Sequence, residues 1–119
     1  MKEDNFAKYA YGTVSPSYAL ANVGASSTDA AVGAAVSGKK LRVLAAAFVC
    51  GATATTATFN SKGSGAGTAI SMQFQNAANG GAVLPLNRLG WFETISGEAL
   101  TLTTGAGSTT GVQVVYASY

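Results

Sequence analysis

Leu41-Arg-Val-Leu-Ala-Ala-Ala-Phe-Val-Cys50, then Gly51, then Ala52-Thr-Ala-Thr-Thr-Ala-Thr-Phe-Asn60, is two runs of strand-forming residues parted by a turn. Thr53, Thr55, Thr58 and Phe59 suit a pleated surface, where β-branched and aromatic side chains pack well. From residue 41 onward the pattern keeps a period near two, which predicts strands over 41–50, 52–60, 68–75, 81–86, 91–95, 98–104 and 111–118. The breaks hold turn formers: Ser61-Lys-Gly-Ser-Gly-Ala-Gly67, Asn79-Gly-Gly81, Ser96-Gly97 and Gly105-Ala-Gly107. Asn-Gly and Ser-Gly pairs supply the positive φ that tight turns need. Short strands at about ten-residue spacing predict an all-β fold, a jelly-roll-like antiparallel β-sandwich.

Composition bounds what such a fold can do. At 119 residues the chain is one domain, 48% hydrophobic, but alanine supplies much of that fraction and the core is expected to be thin. Burying a large side chain fully contributes only about 1.5–3 kcal/mol before chain entropy is counted. Charged residues are 10% of the chain, against about 25% in ordinary soluble domains. So weakly charged a surface predicts a protein partner or an oligomer. The net charge of +2 gives no argument for nucleic acid. No run reaches the ~18–20 apolar residues of a membrane helix, and no secretory leader is legible after Met1-Lys-Glu-Asp-Asn5.

The chain is poorly supplied for chemistry. It has no histidine and one cysteine, so neither a disulfide nor a cysteine-based metal site is expected, and no cofactor. Cys50, between Val49 and Gly51, reads as a buried strand-end thiol. Gly33-Ala-Ala-Val-Ser-Gly-Lys-Lys40 approaches a phosphate-binding loop, but Lys40 stands where a hydroxyl is needed, and a strand rather than a helix follows. Glu93 and Glu98 are the carboxylates beyond residue 40. Two carboxylates can serve glycoside hydrolysis, yet Glu98 follows a Ser-Gly turn and Glu93 sits at an outward strand position. No catalytic residue is therefore assigned. Lys40 and Arg42 fall on one strand face and Leu41 and Val43 on the other, as in a charged, solvated strand edge.

Residues 1–20 differ from the rest and are assigned to an extended N-terminal arm, with the sandwich domain over 21–119. The arm holds four of the twelve charges and the aromatics Phe6, Tyr9, Tyr11 and Tyr18. Phe6, Tyr9 and Tyr11 are its candidate anchors to a neighbour. Over the alanine-rich 19–37, a short helix capped by Thr28 or Asp29 and a loop with strand both remain open. Trp91 and Phe92, adjacent in a strand, must face opposite sides. One enters the core and the other is an interface candidate.

Lys40-Leu-Arg-Val-Leu44, Leu84-Pro-Leu-Asn-Arg-Leu-Gly-Trp-Phe92 and Gly97-Glu-Ala-Leu100 together resemble a pattern in small structural proteins of tailed bacteriophages, of the capsid decoration (cement) type. The resemblance covers about residues 38–117 and leaves out the arm. It implies a non-enzymatic virion protein, made in the host bacterial cytoplasm and seated on the capsid exterior as a homotrimer, with the major capsid protein as partner. A tail or head-fibre component is the neighbouring reading. A carbohydrate-binding module, with an exposed aromatic such as Trp91 or Tyr116 as platform, is the rival from another class.

Overall fold

In the computed structural model, residues 16–119 are described. Ten strands form two antiparallel sheets. One sheet joins β1 (Pro16–Val23), β10 (Thr110–Ser118), β3 (Leu41–Cys50) and β7 (Gly81–Leu84) in that order, with β8 (Phe92–Glu93) also on β3. The other joins β2 (Ala30–Gly33), β9 (Ala99–Thr104), β4 (Thr55–Lys62) and β5 (Thr68–Ala69), with β6 (Phe74–Asn76) also on β4. We call them the β3 sheet and the β4 sheet. β7 and β8 share one edge and act as one interrupted strand; β5 and β6 do the same on the other sheet. Counted so, each sheet has four strand positions, and the chain crosses between sheets at almost every connection. This is the jelly-roll arrangement of an antiparallel sandwich.

Several expected strands differ in extent. The strand expected over 52–60 is shifted to Thr55–Lys62, because 51–54 make the turn from β3. The strand expected over 68–75 is split into β5 and β6, since 70–73 leave the edge of β4. The 81–86 run ends at Leu84, before Pro85, and 91–95 shrinks to Phe92–Glu93. Over 19–37 the strand reading holds: β1 and β2 form and no helix does. The division at residue 20 falls inside β1, whose whole length from Pro16 pairs with β10.

The core lies between the sheets. From the β3 sheet come Leu41, Val43, Ala46, Phe48, Val112 and Val114, and from the β4 sheet Ala57, Phe59, Phe74, Leu100 and Leu102. Phe59 is fully buried and meets three rings: Phe48 at 6.1 Å, Phe74 at 6.4 Å and Phe92 at 5.0 Å between centroids. Phe48 and Phe92 belong to the opposite sheet, so this cluster stitches the two layers together.

β3 changes phase midway. Its buried positions run Leu41, Val43, Leu44 and then Ala46, Phe48, Cys50. The step from odd to even occurs at Leu44, which has no partner in the register with β10, where Val115 faces Ala45 and Tyr116 faces Val43. Such a bulge inserts one residue and redirects the strand. Here the freed backbone receives segment 85–91: the Asn87 N–H donates to the Leu44 carbonyl at 2.9 Å and the Trp91 N–H to the Val43 carbonyl at 2.8 Å. Gly90 closes that segment at φ +83°, and a Cβ there would collide with the Arg42 side chain.

A core this thin leaves little redundancy around Phe59. Phe59→Ala is expected to lose about 3–5 kcal/mol in urea denaturation, much of a small domain's total stability. A loss below about 1 kcal/mol would show that the four rings are not the structural centre.

Candidate functional site

The outward faces of the two sheets differ in chemistry. On the β4 sheet the outward row is hydroxylated, with Thr58 paired to Thr103 and Asn60 to Thr101. These groups bond among themselves: the Asn60 amide donates to Thr103 Oγ1 at 2.6 Å and the Thr101 hydroxyl to Asp29 Oδ1 at 3.2 Å. The Asp29 N–H donates to Thr103 Oγ1 at 3.1 Å, and the other Asp29 oxygen accepts the Gly67 N–H at 3.0 Å. A Cβ on Gly67 would occupy the place of that carboxylate. This face is polar and internally satisfied.

The outward face of the β3 sheet carries Arg42 and Glu93 at one end and is largely apolar over the rest. Register places Leu20, Gln113, Ala47 and Val83 in one row across β1, β10, β3 and β7. A second row runs Tyr18, Val115, Ala45, and a third Asn22, Gly111, Val49, Gly81. Small residues on the central strands leave a depression between walls made by Tyr18 and Leu20 on one side and Val83 and Leu86 on the other. It comprises two shallow concavities of about 650 and 470 Å³ that share Ala47, Val83 and Gln113. None of the residues lining either one is charged. Tyr18 is 79% exposed, Val83 72% and Leu20 60%, so the walls stand in solvent.

Sequence reasoning did not find this face, although a signal for it existed. Ala45, Ala47 and Val49 alternate with Ala46, Phe48 and Cys50, so β3 is apolar on both sides. A strand apolar on both faces expects cover on both.

The residues expected from sequence scatter. Phe92 enters the core against Phe59. Trp91 faces out, 42% exposed, and its indole N–H donates to the Pro85 carbonyl at 2.8 Å, which closes segment 85–91 on itself. The adjacent pair thus divides between core and surface. Phe6, Tyr9 and Tyr11 lie outside the described residues. Cys50 is buried, its thiol donating to the Ala77 carbonyl at 3.0 Å.

Glu93 and Glu98 serve different parts of the fold. Glu98 accepts the Ser61 hydroxyl at 2.7 Å beside the glycine loop. Glu93 takes two bonds from Arg42, at 2.7 and 3.0 Å, a bond from the Tyr119 hydroxyl, and an ion pair from Lys40 at 3.7 Å. Arg42 also lies over the Tyr119 ring, 5.4 Å from its centroid. Lys40 and Arg42 share one strand face as expected, and both are turned to this carboxylate. Partial burial opposes the Glu93 charge, but Tyr119, Arg42 and Lys40 outweigh it and hold the carboxyl below its ordinary value. Burial and the bond to Glu93 push the Tyr119 hydroxyl up.

Among the described residues, no group of three or more histidine, cysteine and carboxylate side chains could hold a metal ion, and no helix is long and apolar enough to cross a membrane. Comparison of the chain with protein-family models, curated proteins and solved structures found no match.

The Glu93 network makes a signed pH prediction. Its carboxyl is depressed on folding, so its contribution is present above the ordinary value of 4.5 and is lost as pH falls through the folded value. Both partners are partly exposed, so Glu93→Gln is expected to cost about 0.5–1 kcal/mol at neutral pH and progressively less as pH falls through the folded value. Denaturation across a pH series from neutral into acid measures it; a cost that does not change with pH would remove the ion network from the stability of the fold.

Proposed function

We propose that this chain is a non-enzymatic structural subunit of a bacteriophage particle, seated on the outside of the capsid shell and holding neighbouring shell subunits together. The observation that carries the reading is the uncharged, largely apolar depression that Tyr18, Leu20, Val83 and Leu86 wall on the outward face of the β3 sheet, away from the Arg42–Glu93 pair at its end. Monomeric soluble proteins rarely expose a contiguous apolar patch beyond a few hundred Å², and larger ones mark protein contacts. This depression lies opposite a polar face on which Asn60, Thr101, Thr103 and Asp29 already bond to one another.

Two further features support a structural role. Asp29, Glu93 and Glu98, the carboxylates of the described residues, are each engaged in holding strands or loops. The likeness to decoration proteins rests on Lys40–Leu44, Leu84–Phe92 and Gly97–Leu100. In the fold these are the start of β3, the segment laid over its bulge, and the turn into β9. Copies grouped about a symmetry axis would each contribute a modest contact, and together they would bind far more tightly than one alone.

Val83 is well exposed on the wall of the depression, so Val83→Lys is expected to leave denaturation within about 0.5 kcal/mol of wild type. The same substitution is expected to lower binding to capsids assembled without this protein by about tenfold or more, a cost of ~1.4 kcal/mol or above. Undiminished binding would remove the β3-sheet face from the shell contact. Phe6→Ala with Tyr9→Ala tests the arm in the same assay, and full occupancy there would discard the arm as an anchor.

A further inference from the structure

The sandwich has four sheet edges, and three of them are blunted. β2 is four residues long with a register irregularity between Ala31 and Gly33. The β5/β6 edge is broken by 70–73, and the β7/β8 edge by 85–91, with Arg42 and Glu93 at its end. β1 is the exception: eight unbroken residues, Pro16–Val23, paired without irregularity to β10. Among the described residues no strand pairs its other side. It carries no charged residue, and Pro16 at its start is its one device against pairing. Long, uncharged edges are templates for another strand, and natural proteins block them unless they are used.

We infer that the free edge of β1 pairs antiparallel with β1 of a second copy across a two-fold axis at Leu20. Chemistry restricts the occupant to an extended backbone, and the strand's own pattern favours a second copy. Tyr18, Leu20 and Asn22 face outward while Ala19, Ala21 and Val23 face the core. Directly opposed residues in an antiparallel pair share a face, so the two-fold must fall on a residue. Placed at Leu20, it opposes Leu20 to Leu20 and Tyr18 to Asn22, and engages Ser17–Val23 with Pro16 just outside. The outward apolar face then runs on from one copy into the next.

Area sets the strength. Seven residues span about 23 Å, and such an edge with its flanking side chains buries roughly 800 Å² in total, below the ~1,200 Å² of standard stable interfaces. The contact is a weak dimer in free solution and becomes effective where copies are held close together.

The test is register-specific cross-linking of the full chain. In this register the Leu20 Cβ atoms lie about 4.5–5.5 Å apart, close to disulfide reach, while those of Tyr18 are four residues, roughly 13 Å, apart. Under mild oxidation by copper-phenanthroline, Leu20→Cys is expected to give a disulfide dimer and Tyr18→Cys at least tenfold less. Sedimentation velocity of the wild type up to millimolar concentration is expected to show a reversible dimer, weakened at least tenfold by Leu20→Lys. Equal cross-linking of both cysteine variants, or a wild type monomeric throughout, overturns the inference. So does a monomer in which the β1 amides that point away from β10 resist hydrogen exchange, since its own chain would then cover the edge. Val83 lies at the opposite edge of the sheet, so Val83→Lys is expected to dimerise normally, and this contact fails separately from the shell contact.

Discussion

The sandwich depends on one contact between its layers, the Phe59 ring against Phe48 and Phe92 of the opposite sheet, with Phe74 of its own sheet beside them. Alanine fills much of the remaining inward surface of the β3 sheet, with Ala19, Ala21, Ala46 and Ala82 all packed on or in the core. An alanine methyl buries little area, so the cohesion per strand is small and the few large rings bear most of it. The bulge at Leu44 follows from the same need. It changes the phase of β3 so that Leu41 and Val43 at one end, and Ala46 and Phe48 at the other, all face the core.

A thin core also explains how the few charges are used. Asp29 joins the start of β2 to β9 and to the glycine loop through Thr101 and Gly67. Glu98 ties β9 to β4 through Ser61, whose oxygen in turn accepts the Ile95 N–H at 2.9 Å. Glu93 joins β8 to β3 and to Tyr119. Each carboxylate fastens a short or broken strand that hydrophobic burial alone would hold weakly. With Arg42, Lys40 and Glu93 gathered at one end of the β3 sheet and the other carboxylates at loops, the depression on its outward face is left neutral.

The fold class was legible because alternation and turn residues are local signals. β3 falls on the expected 41–50, and Asn79-Gly80 and Ser96-Gly97 fall in turns. β1 and β2 were ambiguous because alanine serves helix and strand alike, and pairing with β10 and β9 decides them. The division of Trp91 from Phe92 was legible as alternation, but which ring entered the core was not, since that depends on Phe59 across the sandwich. The apolar face was missed for a related reason. Alanine and threonine occur on both sheets, and only the register gathers Leu20, Ala47 and Val83 into one row.

The two sheets divide the work unequally, and their edges and faces agree on how. The β4 sheet is the more closed of the two: Asn60, Thr101, Thr103 and Asp29 bond to one another on its outward face, its edges are short or broken, and Asp29 anchors its glycine loop. The β3 sheet is open twice, at the face walled by Tyr18, Leu20, Val83 and Leu86 and along the uninterrupted edge of β1. Tyr18 and Leu20 belong to both openings, because the strand that walls the depression is also the one whose second edge pairs with no other strand among the described residues. A single exposed apolar residue needs no explanation. An uncharged depression that ends at an uncharged, unblunted edge meets two criteria for contact, one from surface chemistry and one from backbone hydrogen bonding. Ordinary surface drift would have to remove charge from both at once. On the proposed reading both are contact surfaces, and the low charge of the chain follows from that use.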